Sequence, residues 1–408
     1  MSFQQGLSGL NAASKNLEVI GNNVANANTV GFKGSQAQFA DIYASSLNGG
    51  GTSQVGIGTK VTQIAQQFSQ GNITSSSNPL DIAINGGGFF GMNDNGTVYF
   101  TRNGQFTLDK SGYIVNSQGL RLSGYNLNAN GVPSGQIVDL QIPSAAMPPQ
   151  ATSTITTAVN LQTGAKPPTV SPFNPDDPLT YNNSTSIITY DSKGDSHQLQ
   201  LYYVKTATDW HVYAADDTVQ PPPTPRPSMD LGALTFNTDG SLATPSPGQL
   251  TVPAINIPGV DPLNITINIA GTTEYGSSFD VRTLTQNGYV DGNLSSFTVD
   301  GNGIVLGRYS NGQTRSLGQV ALFSFPNPNG LQPMGNNLWA PTAASDVAVA
   351  GQPGTGKLGT LQASAVEDSN VDLTAELVNM ITAQRVYQAN AQTIKTQDQL
   401  MQTLVNLR

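Results

Sequence analysis

The stretch GGGFFG, Gly86–Gly91, has the glycine spacing of a phosphate-binding turn and follows the strand-like LDIAI. In that chemistry the glycines let backbone approach a pyrophosphate, and a helix opening at once aims its amides at the charge. The residues that follow alternate as a hairpin, so a glycine-rich strand bend is expected instead. A second candidate is His197 and His211 with Asp191, Asp195, Asp216 and Asp217, residue types that serve hydrolysis or metal binding. Each histidine lies in or beside an alternating strand, and the acids fall in turns, where Asp bonds nearby backbone. There is no metal-binding His pair and no G-x-S-x-G elbow. NDNG and DSKGDS lack the spaced acids and terminal Glu of a calcium loop. These residues predict no enzyme, no metal and no cofactor.

The composition points the same way. Only 11% of the 408 residues are charged, against roughly 25% in an ordinary globular protein. The net charge is -9 with no Lys/Arg cluster, so a nucleic acid would find no electrostatic footprint. The absence of cysteine excludes disulfides and thiolate chemistry. Residues 1–14 hold no Lys or Arg and no long apolar block, so no cleaved secretory signal is expected. No apolar run reaches the roughly 18 residues of a membrane span, and membrane insertion is not expected.

What remains is the arrangement of elements. Phe3, Leu7, Leu10, Ser14, Leu17, Gly21 and Val24 alternate four-three spacing, widened by Ala13 and Ile20, and predict an amphipathic helix ending near Asn26–Asn28. At the other end Asp372 is the expected N-cap and Glu376 an acid in the first turn. The stripe there reads Leu373, Leu377, Met380, Gln384, Tyr387, Ala391, Ile394, Asp398, Met401 and Val405, with Leu400, Leu404 and Leu407 starting a second line. Two such stripes at the ends of a β-rich chain predict that the termini pair as a coiled coil.

Between them the chain reads as strands and hairpins, with turns at Asn95-Gly96, Ser111-Gly112, Asn302-Gly303 and Asn311-Gly312. The expected fold is mainly β with α-helical termini. Residues 1–28 and 370–408 are the terminal helices, 29–70 and 360–369 a connecting segment, and 71–145 with 284–359 a discontinuous first β domain. Residues 146–283, with the proline-rich loops AKPPTVSPFNPDDP and QPPPTPRP, read as a second β domain inserted into the first. The middle of the chain carries -8 of the net charge, leaving both terminal segments nearly neutral.

A helix hidden within one molecule can keep a charged outer face; a helix surrounded by other copies cannot, because an unpaired buried charge costs several kcal/mol. The stretch GNNVANANTVGFKG fits the second case, with neutral amides that donate and accept without a counter-charge. With its flanks, LSGLNAASKNLEVIGNNVANANTVGFKGSQAQFADIY resembles the N-terminal signature of bacterial flagellar rod and hook proteins, the motif falling on Asn22, Asn23, Asn26, Asn28, Gly31, Phe32 and Lys33. NPLDIAINGGGFFGM with VYFTRNGQFTLDKSGYIVN is similar to the β segment that follows it in that family. VEDSNVDLTAELVNMITAQRVYQANAQTIKTQDQLMQTLVNL is similar to the shared C-terminus. The length, the large insert and the short glycine-rich SSLNGGGTSQVGIGTKVTQ fit the hook members of the family better than the distal rod members.

The resemblance implies a helical tube of identical subunits outside the cell, exported through the flagellar type III apparatus without signal cleavage, and a flexible joint transmitting torque from rod to filament. The paired helices would line its channel, the first β domain form a middle layer and the insert lie outermost. Phe3, Leu7, Leu10, Leu17, Ile20, Val24, Leu373, Leu377, Met380, Tyr387, Ile394 and Met401 would serve self-assembly. Besides other copies of the chain, the implied partners are the distal rod protein, hook cap protein, hook-filament junction protein and hook-length control protein. The rival within the family is a stiff distal rod protein. A rival of another class is a secreted β-rich enzyme or carbohydrate-binding protein using Tyr202, Tyr203, Trp210 and Tyr213 as a stacking platform, although alternation puts some of these on opposite faces and favours core packing.

Overall fold

The computed structural model describes residues 2–42, 56–128, 131–216 and 226–406. Parts of SSLNGGGTSQVGIGTKVTQ and of the loop QPPPTPRP, together with Asp217 and Leu407, lie outside them. Contacts divide the chain into two units: 1–144 with 296–308 and 314–408, and 145–295 with 309–313.

In the first unit, helix α1 (Ser2–Ala25) and helix α2 (Leu373–Asn406) pack together. Both are free of proline, and α2 starts as its cap predicts, with Asp372 Oδ1 accepting from the Thr374 and Ala375 amides at 2.9 and 3.1 Å. Helix α1 stops one residue before the asparagine-rich stretch closes it. The Asn26 amide is shared between the Asn22 and Asn23 carbonyls, and its side chain returns to Asn22 O at 3.0 Å. After Gly31 the chain enters strand β1 (Ser35–Ile42), which pairs antiparallel with β2 (Gly58–Gln66).

The two ends of the chain then meet in the β body. Ile73–Ser75 pairs with Ala365–Glu367, and Ile82–Asn85 with Thr360–Ala363, both antiparallel. The hairpin Phe89–Asp94 to Thr97–Thr101 turns at Asn95 and Gly96, whose φ values of 48° and 104° suit the mirror-image turns of tight hairpins. Arg121–Leu127 joins this hairpin to Thr314–Val320. Phe68, Phe89, Phe100, Phe323, Phe325 and Trp339 fill the core edge to face, with ring centroids 4.8–5.8 Å apart.

The second unit is built from two five-stranded sheets. One is the meander Asn183–Tyr190, Ser196–Lys205, Trp210–Asp216, Ser228–Phe236 and Leu242–Thr244. The other centres on Thr154–Gln162, which pairs with Asp280–Gln286 and, in parallel, with Thr266–Asn268 and Thr273–Tyr275. Ile155, Leu161, Leu201, Trp210, Val212, Ile265 and Ile267 share one core between them. The expected boundary at 283 is corrected, because it would cut the strand Asp280–Gln286 in two. The paired connectors Met147/Gly292 and Gln150/Tyr289 carry the unit on to residue 295. The Asn311 hairpin tip belongs here too, its amide donating to Val290 O at 2.8 Å.

Candidate functional site

The helix seam is made by small residues. An added Cβ on Gly6 would lie 3.1 Å from Ile394, and one on Gly9 would lie 2.7 Å from the Asn390 amide oxygen, so the backbones approach closely here. Asn23 meets Glu376 at the far end. The order of these contacts makes the pair antiparallel. On α1 the buried line is Gly6, Ala12, Ala13, Val19, Ile20 and Asn23; on α2, Ala383 is buried and Met380, Asn390, Ala391 and Ile394 are half-buried.

This line runs beside the expected stripes and coincides with them only in part. Ile20 is 5% exposed and within the seam. Leu10, Leu17, Val24, Met380 and Ile394 are half-buried, while Phe3, Leu7, Leu373, Leu377, Tyr387 and Met401 are exposed. Small side chains allow the close approach and the large ones are displaced to the flanks, where Val378, Ile381, Val386, Leu400 and Val405 extend the exposed apolar rows. Near the end of α2, Met401 and Val405 are 64% and 71% exposed.

A cleft of about 870 Å³ opens between the two helices and β1, lined by Ala12, Asn16, Val19, Phe39, Ala375 and Asn379 among others. Glu376 borders it. Its Oε1 accepts from Asn23 at 3.3 Å, and its buried Oε2 has no hydrogen-bond partner among the described residues.

Where the helices root in the β body, the motif residues take distinct tasks. Asn23 bonds both backbone groups of Ser35, accepting from N at 2.9 Å and donating to O at 2.8 Å. Asn26 ties the last turn, its side-chain oxygen accepting from Thr29 Oγ1 at 3.2 Å, whereas Asn22 and Asn28 are exposed and Phe32 is half-buried. Gly31 has φ +71°, and a Cβ there would stand 2.6 Å from the Asn103 backbone nitrogen, so this position admits only glycine without rearrangement. Lys33 is 1% exposed, and its Nζ donates to Glu367 Oε1 and to Ser69 O, both at 2.7 Å. Glu367 Oε2 accepts from Arg102 Nε at 2.8 Å.

Burial pushes the Lys33 ammonium below its ordinary value despite the adjacent Glu367. Burial also pushes the Glu367 carboxyl up, but the Arg102 bond and the two cations outweigh it and hold the group below the usual carboxylate range. Sequence reasoning found Lys33 and missed Arg102 and Glu367. The available signal was a solitary lysine amid neutral amides, which requires a counter-charge if buried.

The chemical candidates resolve into structure. Gly86 and Gly88 both have φ +115°, and a strand follows them, with no helix to receive a phosphate. Asp191 Oδ1 accepts from the Lys193 and Asp195 amides at 2.8 and 2.9 Å, and its Oδ2 lies 3.1 Å from His197 Nε2, so this acid braces a turn. His211 Nδ1 lies 3.5 Å from Asp230 Oδ2, apart from that turn. Tyr202, Tyr203 and Trp210 are buried, burial pushing the Tyr203 hydroxyl up to about 12. Tyr213 is covered by Phe173, stacked at 4.4 Å, so no open platform exists among these four. No helix among the described residues is long and apolar enough to cross a membrane.

Comparison with known proteins gives concordant matches along the chain. Residues 3–33 match the family of flagella basal body rod proteins, and 83–160 the flagellar hook protein FlgE/F/G D1 domain. Residues 158–289 match the flagellar basal body protein FlaE D2 domain, and 362–407 the flagellar basal body rod FlgEFG protein C-terminal family. The flagellar hook protein FlgE of Escherichia coli K12 is 42% identical over 417 residues, covering 100% of both chains. That of Salmonella typhimurium LT2 is 42% identical over 416 residues, with the same coverage. That of Borreliella burgdorferi is 32% identical over 451 residues, covering 100% of this chain and 99% of the relative. A crystal structure of a Helicobacter pylori flagellar hook protein shares the fold at TM-score 0.54 and 14% identity, covering 72% of this chain and 100% of that one.

Proposed function

The chain belongs to the flagellar hook protein family and is a structural subunit of the hook, and from that premise we propose that its terminal helices carry self-assembly. The observation that supports this most is the apolar surface the helix pair leaves open. The seam is closed by small residues, yet Phe3, Leu7, Leu373, Leu377, Val378, Ile381 and Tyr387 stay exposed beside it, and the end of α2 runs on with Leu400, Met401 and Val405 uncovered. Such rows gain their burial from other copies of the same chain, each contact repeated head to tail without closing into a ring, which makes a helical tube.

In this reading residues 1–28 and 370–408 line the channel, and the Glu376 oxygen that has no partner among the described residues accepts a donor from a neighbouring subunit. The subunit is exported by the type III apparatus without loss of a signal, works outside the cell as a bendable joint, and has no catalytic task. It meets the distal rod protein at one end, the hook-filament junction protein at the other, and the cap and length-control proteins during growth. The test is electron microscopy of the purified chain after concentration. Curved or bendable tubes are expected; straight rigid rods would favour a distal rod role, and a persistently monomeric chain would overturn the assembly reading.

A further inference from the structure

Three separate stretches of chain bond one buried carboxylate, and a fourth is tied to it through Arg102. Glu367 Oε1 accepts from Lys33 Nζ at 2.7 Å and from the Gly71 amide at 2.9 Å, and Oε2 accepts from Arg102 Nε at 2.8 Å. The Glu367 carbonyl accepts from the Gly31 amide at 2.7 Å. Arg102 in turn donates to the carbonyls of Gly86 and Gly88 at 2.9 and 2.7 Å, so it ties in the glycine bend. Thus the exit from α1, the segment after β2, the glycine bend, the strand end at Arg102 and the approach to α2 are fastened at one point.

We infer that Glu367 is a positioning residue for assembly, a latch that fixes the roots of both terminal helices on the first β body so that the pair leaves it in one direction. The assembly part rests on the hook-subunit reading above; the latch itself is a property of the single chain.

The charge balance makes the idea specific. Two cations face one carboxylate in a site where all three side chains are nearly inaccessible. Lys33 is the dispensable member: without it Glu367 Oε1 keeps the Gly71 amide, and Ser69 O keeps Asn370 Nδ2 at 3.2 Å. Glu367 is the indispensable one, because removing its charge leaves two buried cations facing each other with no anion between them. Neutralising both Lys33 and Glu367 removes that repulsion, and the Arg102 left without its anion keeps the carbonyls of Gly86, Gly88 and Ile84 as acceptors.

Hydrogen exchange on the full-length monomer tests the latch, and polymerisation on the same samples tests its use. Glu367→Gln should speed exchange at residues 26–34 and 71–74 by about a hundredfold or more. Lys33→Met should stay within about threefold of the parent, and Lys33→Met/Glu367→Gln should recover at least about tenfold of the loss. Rescue by a second lesion is not the behaviour of a residue that merely fills space. The concentration needed for polymerisation should rank the variants in the same order. Parent-like exchange in Glu367→Gln, or a double variant no better than Glu367→Gln alone, would overturn the latch. If Glu367→Gln does not fold, a double variant that folds supports the latch and one that does not overturns it. Exchange that follows this order while no variant, nor the parent, forms tubes would uphold the latch and defeat the assembly reading instead.

Discussion

Leu377→Asp and Ile20→Asp separate the two surfaces of the helix pair. Leu377 is 44% exposed on the outer row, while Ile20 is 5% exposed in the seam. Burying a whole Leu side chain is worth about 1.5–3 kcal/mol, so the uncovered part of Leu377 has about 1 kcal/mol left to gain from a neighbour. Leu377→Ala should therefore raise the concentration needed for polymerisation by about fivefold. An aspartate forfeits this and also places an unpaired carboxylate in the contact, for a total of about 4 kcal/mol per subunit, or about a thousandfold in concentration. In the monomer the same carboxylate stays in water, and the helical circular dichroism of Leu377→Asp should match the parent. Ile20→Asp instead buries its charge within the chain, at a cost of about 3–5 kcal/mol, and the helical signal of the monomer should melt well below that of the parent. Sedimentation and thermal melts on the same samples read both effects. Parent-like polymerisation of Leu377→Asp would refute the assignment of the outer row to assembly, and an equal loss of monomer helix in both variants would show that Leu377 is part of the seam.

The second unit should be removable. Met147 N donates to Gly292 O at 2.7 Å, so replacing residues 148–291 by a two-residue glycine turn closes a gap that the chain already spans as a paired ladder. The remainder should melt cooperatively in calorimetry; a broad, non-cooperative trace would count against the inserted-domain reading. Acid should also erase the difference between the parent and Glu367→Gln. Because the folded-state value of Glu367 lies below its ordinary 4.5, its stabilisation is complete above that value and is lost as pH falls through the lower folded one. The melting temperatures of the two proteins should differ most near neutral pH and converge in strong acid, and a gap that widens on acidification would reverse the assigned sign.

Much of this architecture could be read locally, because its signals are local. The four-three spacing marked both helices, Asp372 marked the start of α2, and Asn95-Gly96 marked a hairpin whose backbone has the required positive φ. Periodicity finds an apolar stripe, however, without saying which partner it meets. Here the seam took Gly6, Gly9, Ala12 and Ala13, since the closest helix approach excludes large side chains, and Phe3 and Leu7 were left outside. The Glu367 latch was only half legible for a different reason: its members are separated by 265 and 334 positions, so the solitary Lys33 calls for a counter-charge without showing where in the chain it lies. The same sparseness of charge that hides the latch also gives it its meaning. A chain that keeps its ends nearly neutral has few ions to spare, and the ones it buries mark where the two ends must be held together before any second copy can add to them.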